Sequence, residues 1–186
     1  MSNQDTKVAD YSFLDVTNVK DILDLQEEDV KRNTNQTERQ ILDINTINFS
    51  SNKIVQISDL PATLATMKLS PQNIKWIDFS NNKISSLGDA FDNFDNLTVL
   101  YLHANNFSSI RAIKPLEKLK KLNSLTLHGN PIEAQKHFRN YIIYLLPNLE
   151  KLNFSLITNR DKDKCKTWSS LYHKKLSGAT NDQSNG

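Results

Sequence analysis

The chain has a single cysteine, Cys165, in 186 residues. That excludes an internal disulfide framework and leaves no cysteine cluster for a zinc site. Glycine is almost as scarce: Gly88, Gly129, Gly178 and Gly186 are the only four, and none belongs to the spaced glycine set that cradles a phosphate. No apolar run approaches the length that spans a bilayer, so no membrane is expected as a partner. The opening MSNQDTKVAD lacks the apolar centre of a signal peptide, which makes a cytoplasmic chain the expectation. Neither sign of charge dominates: 23 basic residues against 21 acidic ones give a formal +2, too little to steer the chain to nucleic acid. No HExxH occurs, and no Ser-His-acid order falls on a plausible nucleophile elbow. The expectation is a chain that is not an enzyme and carries no cofactor.

What the chain has instead is a repeat. LTVLYLHANNF begins at Leu97 and LNSLTLHGNPI at Leu122, and both fit L-x-x-L-x-L-x-x-N-x-apolar. Leu97, Leu100, Leu102, Asn105 and Phe107 fill the first copy; Leu122, Leu125, Leu127, Asn130 and Ile132 fill the second. Two earlier copies use isoleucine: Ile44, Ile47, Phe49, Asn52, Ile54, and then Ile74, Ile77, Phe79, Asn82, Ile84. A fifth, partial copy keeps Leu149, Leu152 and Phe154 as inward residues but has no asparagine at the ninth position. This template is the leucine-rich-repeat signature. It implies an α/β solenoid, a right-handed coil with a parallel β-sheet on its concave face. No single coil can bury its own apolar residues, so coils must stack. Strands are expected near 46–48, 76–78, 99–101, 124–126 and 151–153, with neighbours about 4.8 Å apart. Asn52, Asn82, Asn105 and Asn130 are expected to form a ladder that satisfies backbone groups where the chain leaves each strand.

The repeat domain with its cap spans residues 44–158, between an N-terminal segment, 1–43, and a basic polar tail, 159–186. In the first segment Val16, Val19, Ile22, Leu23 and Val30 recur near a 3.6 period. That predicts a helix over 13–30, capped by Asp15 or Thr17, which either covers the open end of the coil or binds a partner. Residues 31–40 are polar and read as a linker. The convex side is expected to add Ile57, Leu60, Leu64, Met67, Leu87, Phe91, Phe94, Ile110, Ile113, Leu116 and Leu119 to the core. Phe138, Tyr141, Ile142 and Leu145 share one face of a closing helix that Pro147 ends. The tail reads as extended, with Trp168, Leu171 and Tyr172 as anchors and with lysines that suit an acidic neighbour. Cys165 stands among those lysines, which would lower its thiol pKa.

In a strand alternate residues face opposite sides. With the leucines inward, three rows face the concave side: Thr46, Trp76, Val99, Ser124, Lys151; Asn48, Asp78, Tyr101, Thr126, Asn153; and Ser50, Ser80, His103, His128, Ser155. Trp76, Asp78, Val99, Tyr101, His103, Thr126 and His128 are therefore expected to bind a protein partner, together with Trp168 of the tail. Trp76 has a second reading, packing against the N-terminal segment. His103 and His128 fall side by side in one row. Without a third ligand they read as a hydrogen-bonding pair and not as a metal site.

The closing segment, with Asn130-Pro131, Arg139, Tyr141, Leu146-Pro147-Asn148-Leu149 and Ile157-Thr158, resembles the cap of the splicing factor U2 A-prime and of axonemal dynein light chain 1. Asp10-Tyr11-Ser12-Phe13, Trp76-Ile77-Asp78-Phe79-Ser80, Val99-Leu100-Tyr101-Leu102-His103 and Leu125-Thr126-Leu127-His128-Gly129-Asn130-Pro131 resemble the family of leucine-rich repeat-containing protein 51. The resemblance implies a non-catalytic cytoplasmic repeat protein, of a type common in cilia and axonemes. Its partners would be proteins of a large assembly, tubulin or axonemal proteins among them. Two other classes stay open: a regulatory subunit that grips a phosphatase or other enzyme, and a ribonucleoprotein component.

Overall fold

The computed structural model describes residues 7–30 and 44–181, with side chains described as far as 25 in the first stretch and 171 in the second. The linker read over 31–40 and the Tyr172 anchor lie outside these described side chains. Seven strands form one sheet in chain order: β1 (Lys7–Asp10), β2 (Ile44–Asn48), β3 (Trp76–Asp78), β4 (Val99–Tyr101), β5 (Ser124–Thr126), β6 (Lys151–Leu152) and β7 (Ser155–Leu156). All neighbours are parallel except β6 and β7. Thr46, Trp76, Val99, Ser124 and Lys151 sit in one register row, and Ile47, Ile77, Leu100, Leu125 and Leu152 in the next. The short helices α2 (Leu60–Thr66) and α3 (Ile110–Ile113) and several 3₁₀ turns return the chain on the convex side.

One apolar core runs the length of the coil. Ile47, Ile77, Leu100 and Leu125 are fully buried, and so are Phe49, Phe79, Leu102 and Leu127 two residues on. Phe49 and Phe79 stack with ring centroids 4.8 Å apart. From the convex side Ile57, Leu60, Leu64, Leu87, Phe91, Phe94, Ile113, Leu116 and Leu119 close over them.

The asparagines knit adjacent coils. Asn105 Nδ2 donates to the carbonyls of Phe79 in the preceding coil (2.8 Å) and Leu102 in its own (3.2 Å), while its Oδ1 accepts from the Ile84 amide at 2.9 Å. Asn82 repeats this with Phe49, Phe79 and Ile54, and Asn130 with Leu102, Leu127 and Phe107. The residue before each asparagine lies in the left-handed region: Ser51, Asn81, Ala104 and Gly129, at φ +57°, +54°, +53° and +72°.

The N-terminal segment departs from the expected long helix. Helix α1 (Asp21–Val30) starts eight residues later than Phe13 (21 − 13), and residues before it form a further coil. Strand β1 pairs with β2, Tyr11 stacks on Phe49 at 5.5 Å, and Phe13 takes the left-handed place with φ +57°. Asn52 serves this coil as well, bonding the Tyr11 carbonyl and the Leu14 and Val16 amides. Val16, Val19 and Ile22 are buried because they supply that coil's core, and their spacing imitates a helical face. Neither Asp15 nor Thr17 caps α1 with its side chain; the Asp21 carboxylate instead accepts from the Thr17 and Asn18 amides.

The C-terminal end departs twice. Asn153 and Phe154 both have positive φ, +52° and +63°, and turn the chain back so that β7 runs antiparallel to β6. Two left-handed central residues are what a tight hairpin turn needs. Phe154, read as an inward residue, thereby leaves the core and is 60% exposed. The tail is not extended either: Asn159–Asn181 is helix α5, packed against α4 (Phe138–Leu145). Thr158 and Asp161 start it reciprocally, with the Asp161 amide donating to Thr158 Oγ1 and the Thr158 amide to Asp161 Oδ2. Arg139 clamps the same carboxylate at 3.0 Å and reaches the Leu156 carbonyl. Cys165 is buried under α5 and donates to the Asn140 carbonyl. Burial pushes its thiol pKa up, which reverses the lowering expected from the lysines around it.

Candidate interaction surface

The concave residues are held by strands too short to bend, so their side chains project from fixed points. Trp76 on β3 meets the Tyr101 ring on β4 edge-on, centroids 5.4 Å apart. Tyr101 in turn meets Phe154 at 5.4 Å and His103 at 6.2 Å. His103 and His128 stack at 4.6 Å, and Phe154 tilts over both, at 6.0 and 5.6 Å. Trp76, Val99, Tyr101, His103 and His128 are half-buried, so this aromatic run stays open on one side. Asp78 ends its strand by accepting the Ser80 amide at 2.6 Å. Among the described residues the aromatic ring partner of Trp76 is Tyr101.

The two histidines stack face to face. His103 Nδ1 is bonded to Thr126 Oγ1 at 2.9 Å and not to His128, which corrects the expected hydrogen-bonding pair. Burial is the main cause that lowers the His103 pKa, and the neighbouring His128 lowers it further against the pull of Asp78. The Nδ1 atom of His128 is buried with no protein partner. Among the described residues no group of three or more His, Cys, Asp or Glu could hold a metal ion.

Two expected contact residues sit elsewhere. Thr126 is fully buried; its hydroxyl accepts the Leu102 amide at 3.2 Å and holds His103, so it positions that ring and cannot touch a partner. Trp168 is on α5, away from the sheet, against His137, Tyr141 and Tyr144 at 6.1–6.5 Å. Phe154 is the concave residue that the repeat template misses. The missing ninth-position asparagine of its copy is the signal that the coil stops there.

A sequence profile of the family described as Leucine-rich repeat matches residues 11–179. The chain belongs to the leucine-rich-repeat family. This leucine-rich-repeat protein is 30% identical to leucine-rich repeat-containing protein 51 of Bos taurus over 162 residues, 87% of this chain and 84% of that one. It is 28% identical to the Homo sapiens protein of the same name over the same span. It is also 28% identical to the Homo sapiens U2 small nuclear ribonucleoprotein A′ over 117 residues, 62% of this chain and 43% of that protein. Among solved structures, the Drosophila melanogaster SNF/U2A′ complex contains a chain of the same fold, with a TM-score of 0.66 at 21% identity, covering 86% of this chain and 79% of that one. Proteins of this repeat family act through protein–protein contact, and the repeats here form one such surface-bearing solenoid. Among the described residues no helix is long and apolar enough to cross a membrane.

Proposed function

We propose that this leucine-rich-repeat protein is a non-catalytic adaptor whose concave aromatic run docks a partner protein. The observation that carries this is the continuous ring contact from Trp76 through Tyr101 to Phe154, His103 and His128, on a face otherwise lined by Asn48, Ser50 and other small polar residues. Aromatic side chains lose little conformational entropy on contact and bury large areas, which is why they dominate interface energetics. Strands fix the rings in advance, so binding has little ordering to do. Asp78 and Val99 complete the surface.

The setting we propose is a large ciliary or axonemal assembly, microtubule-associated, with axonemal proteins or tubulin as neighbours. Its support is the likeness to leucine-rich repeat-containing protein 51 and the repeat type. A second reading, a subunit of a ribonucleoprotein held through a protein partner, is favoured by the sequence likeness to the U2 A′ protein. The test compares tagged wild type with a Trp76→Ala, Tyr101→Ala double variant in ciliated cells. Wild type is expected to stay with detergent-extracted axonemes and the variant to be released, with thermal melts of the two alike. Recovery of the wild type in the soluble fraction overturns the axonemal setting, and co-sedimentation with small nuclear ribonucleoproteins supports the second reading. Equal retention of both forms moves the contact off the concave face.

A further inference from the structure

Helix α5 presents a second surface, separate from the concave face. Its inner side is committed: Cys165 is buried on α4, and Asp161 is held by Arg139. The flank beside it carries Arg160, Lys164, Thr167, Trp168 and Leu171, which are spaced as one helical stripe and border a groove of about 690 Å³ against His137 and Asn140. The floor of that groove is apolar. Leu171 is 62% exposed, and Trp168 is propped by the rings of His137, Tyr141 and Tyr144.

The charge on this stripe is unbalanced. Of the four cations from Asn159 to Leu171, Lys166 pairs with Asp163, while the other carboxylate, Asp161, is taken by Arg139 of α4. Arg160, Lys162 and Lys164 are exposed and pair with no carboxylate among the described residues. An apolar floor bordered by unpaired cations is complementary to a chain that carries both carboxylates and an apolar side chain. A nucleic acid fits less well. Its affinity grows with the number of cations on its phosphates, and here they are few.

We infer that the α4–α5 groove binds an acidic peptide segment of a partner protein, with Arg160 and Lys164 meeting its carboxylates and Trp168 and Leu171 its apolar residue. The chain then has two independent docking surfaces and bridges two proteins. This goes beyond the concave-face reading and does not depend on it.

The test uses the full chain and a short fluorescein-labelled peptide of Glu-Glu-Leu-Phe repeats, followed by anisotropy. Saturable binding is expected, weakened by added salt. An Arg160→Glu, Lys164→Glu variant should weaken it about tenfold or more, since both charge contacts turn repulsive. Leu171→Ser should weaken it with unchanged salt dependence, and circular dichroism should show both variants helical. The Trp76→Ala, Tyr101→Ala variant should bind as wild type, so failure of the concave reading leaves this result standing. Absence of saturable binding overturns the inference. So does equal binding by the charge-reversed variant, equal binding of a Lys-Lys-Leu-Phe peptide, loss in the concave variant alone, or tighter binding of oligothymidylate.

Discussion

The rings of His103 and His128 stack with centroids 4.6 Å apart and planes 10° from parallel. Two imidazolium ions at that separation repel, and the aromatic surroundings offer little solvent to screen them. The His103 pKa is accordingly held below 6.5, first by burial and then by His128. A histidine with a lowered folded pKa binds more protons unfolded than folded. Its contribution to stability is therefore present above about 6.5 and declines as pH falls below it. Imidazole titration by NMR should show His103 titrating below an exposed histidine, and His128→Gln should raise it. An unchanged His103 titration in that variant would mean burial alone sets it.

The strand positions and the convex core were legible because the repeat has one template and every copy obeys the same geometry. Leu100 and Leu125 could be assigned inward from spacing alone, and the register rows follow from period two. The two ends were not legible by that route, since each breaks the template. Ala9 and Tyr11 replace leucines in the first coil, so Val16, Val19 and Ile22 counted as a helix. Phe154 looked inward because nothing in a one-dimensional template shows a chain reversal at Asn153. The start of α5 was readable: Thr158-Asn159-Arg160-Asp161 has the form of a capping box, a signal outweighed by the polar composition that follows. The stacking of the histidines needed the ring orientations that Thr126 fixes, and those depend on neighbours one coil away.

Asn105 and Asn106 are adjacent but differ in what they hold. Asn105→Ala strands the buried Ile84 amide and takes one of two asparagine donors from each of the Phe79 and Leu102 carbonyls, which keep Asn82 and Asn130, and should cost about 1–3 kcal/mol. Asn106 makes one exposed contact, to the Lys83 carbonyl at 3.4 Å, and its alanine variant should stay within about 0.5 kcal/mol. Urea melts of both variants check this, and equal midpoints would refute the ladder's role.

Gly129 is needed for two reasons at once. Its φ is +72°, and a Cβ there would stand 3.3 Å from the Ala104 amide nitrogen of the preceding coil. Gly129→Ala should destabilise by about 1–2 kcal/mol. Ala104→Gly, at φ +53°, should be close to neutral, since relief of the left-handed strain is offset by greater freedom of the unfolded chain. Thermal melts of the pair distinguish a conformational cause from a general sensitivity of this turn.

The docking of α5 can be followed through the chain's single thiol, Cys165. The thiol is buried against the Asn140 carbonyl with a raised pKa, so the native protein should react slowly with a maleimide at neutral pH. Reaction then requires α5 to lift from α4. Arg139 opposes this by joining the Asp161 carboxylate at 3.0 Å and the Leu156 carbonyl at 3.2 Å. Arg139→Ala should raise the labelling rate several-fold and lower global stability by no more than about 1 kcal/mol, as the pair is partly exposed. Arg139 and the Thr158 cap hold the Asp161 carboxyl well below the usual carboxylate range. Its share of the docking is thus complete above the ordinary carboxylate pKa and declines only as pH falls through that range and below it. The maleimide rate, corrected for thiolate fraction, should stay flat from neutral pH down to about 5. Fast labelling of the wild type at neutral pH, with the strand core still folded, would show that α5 does not rest on α4.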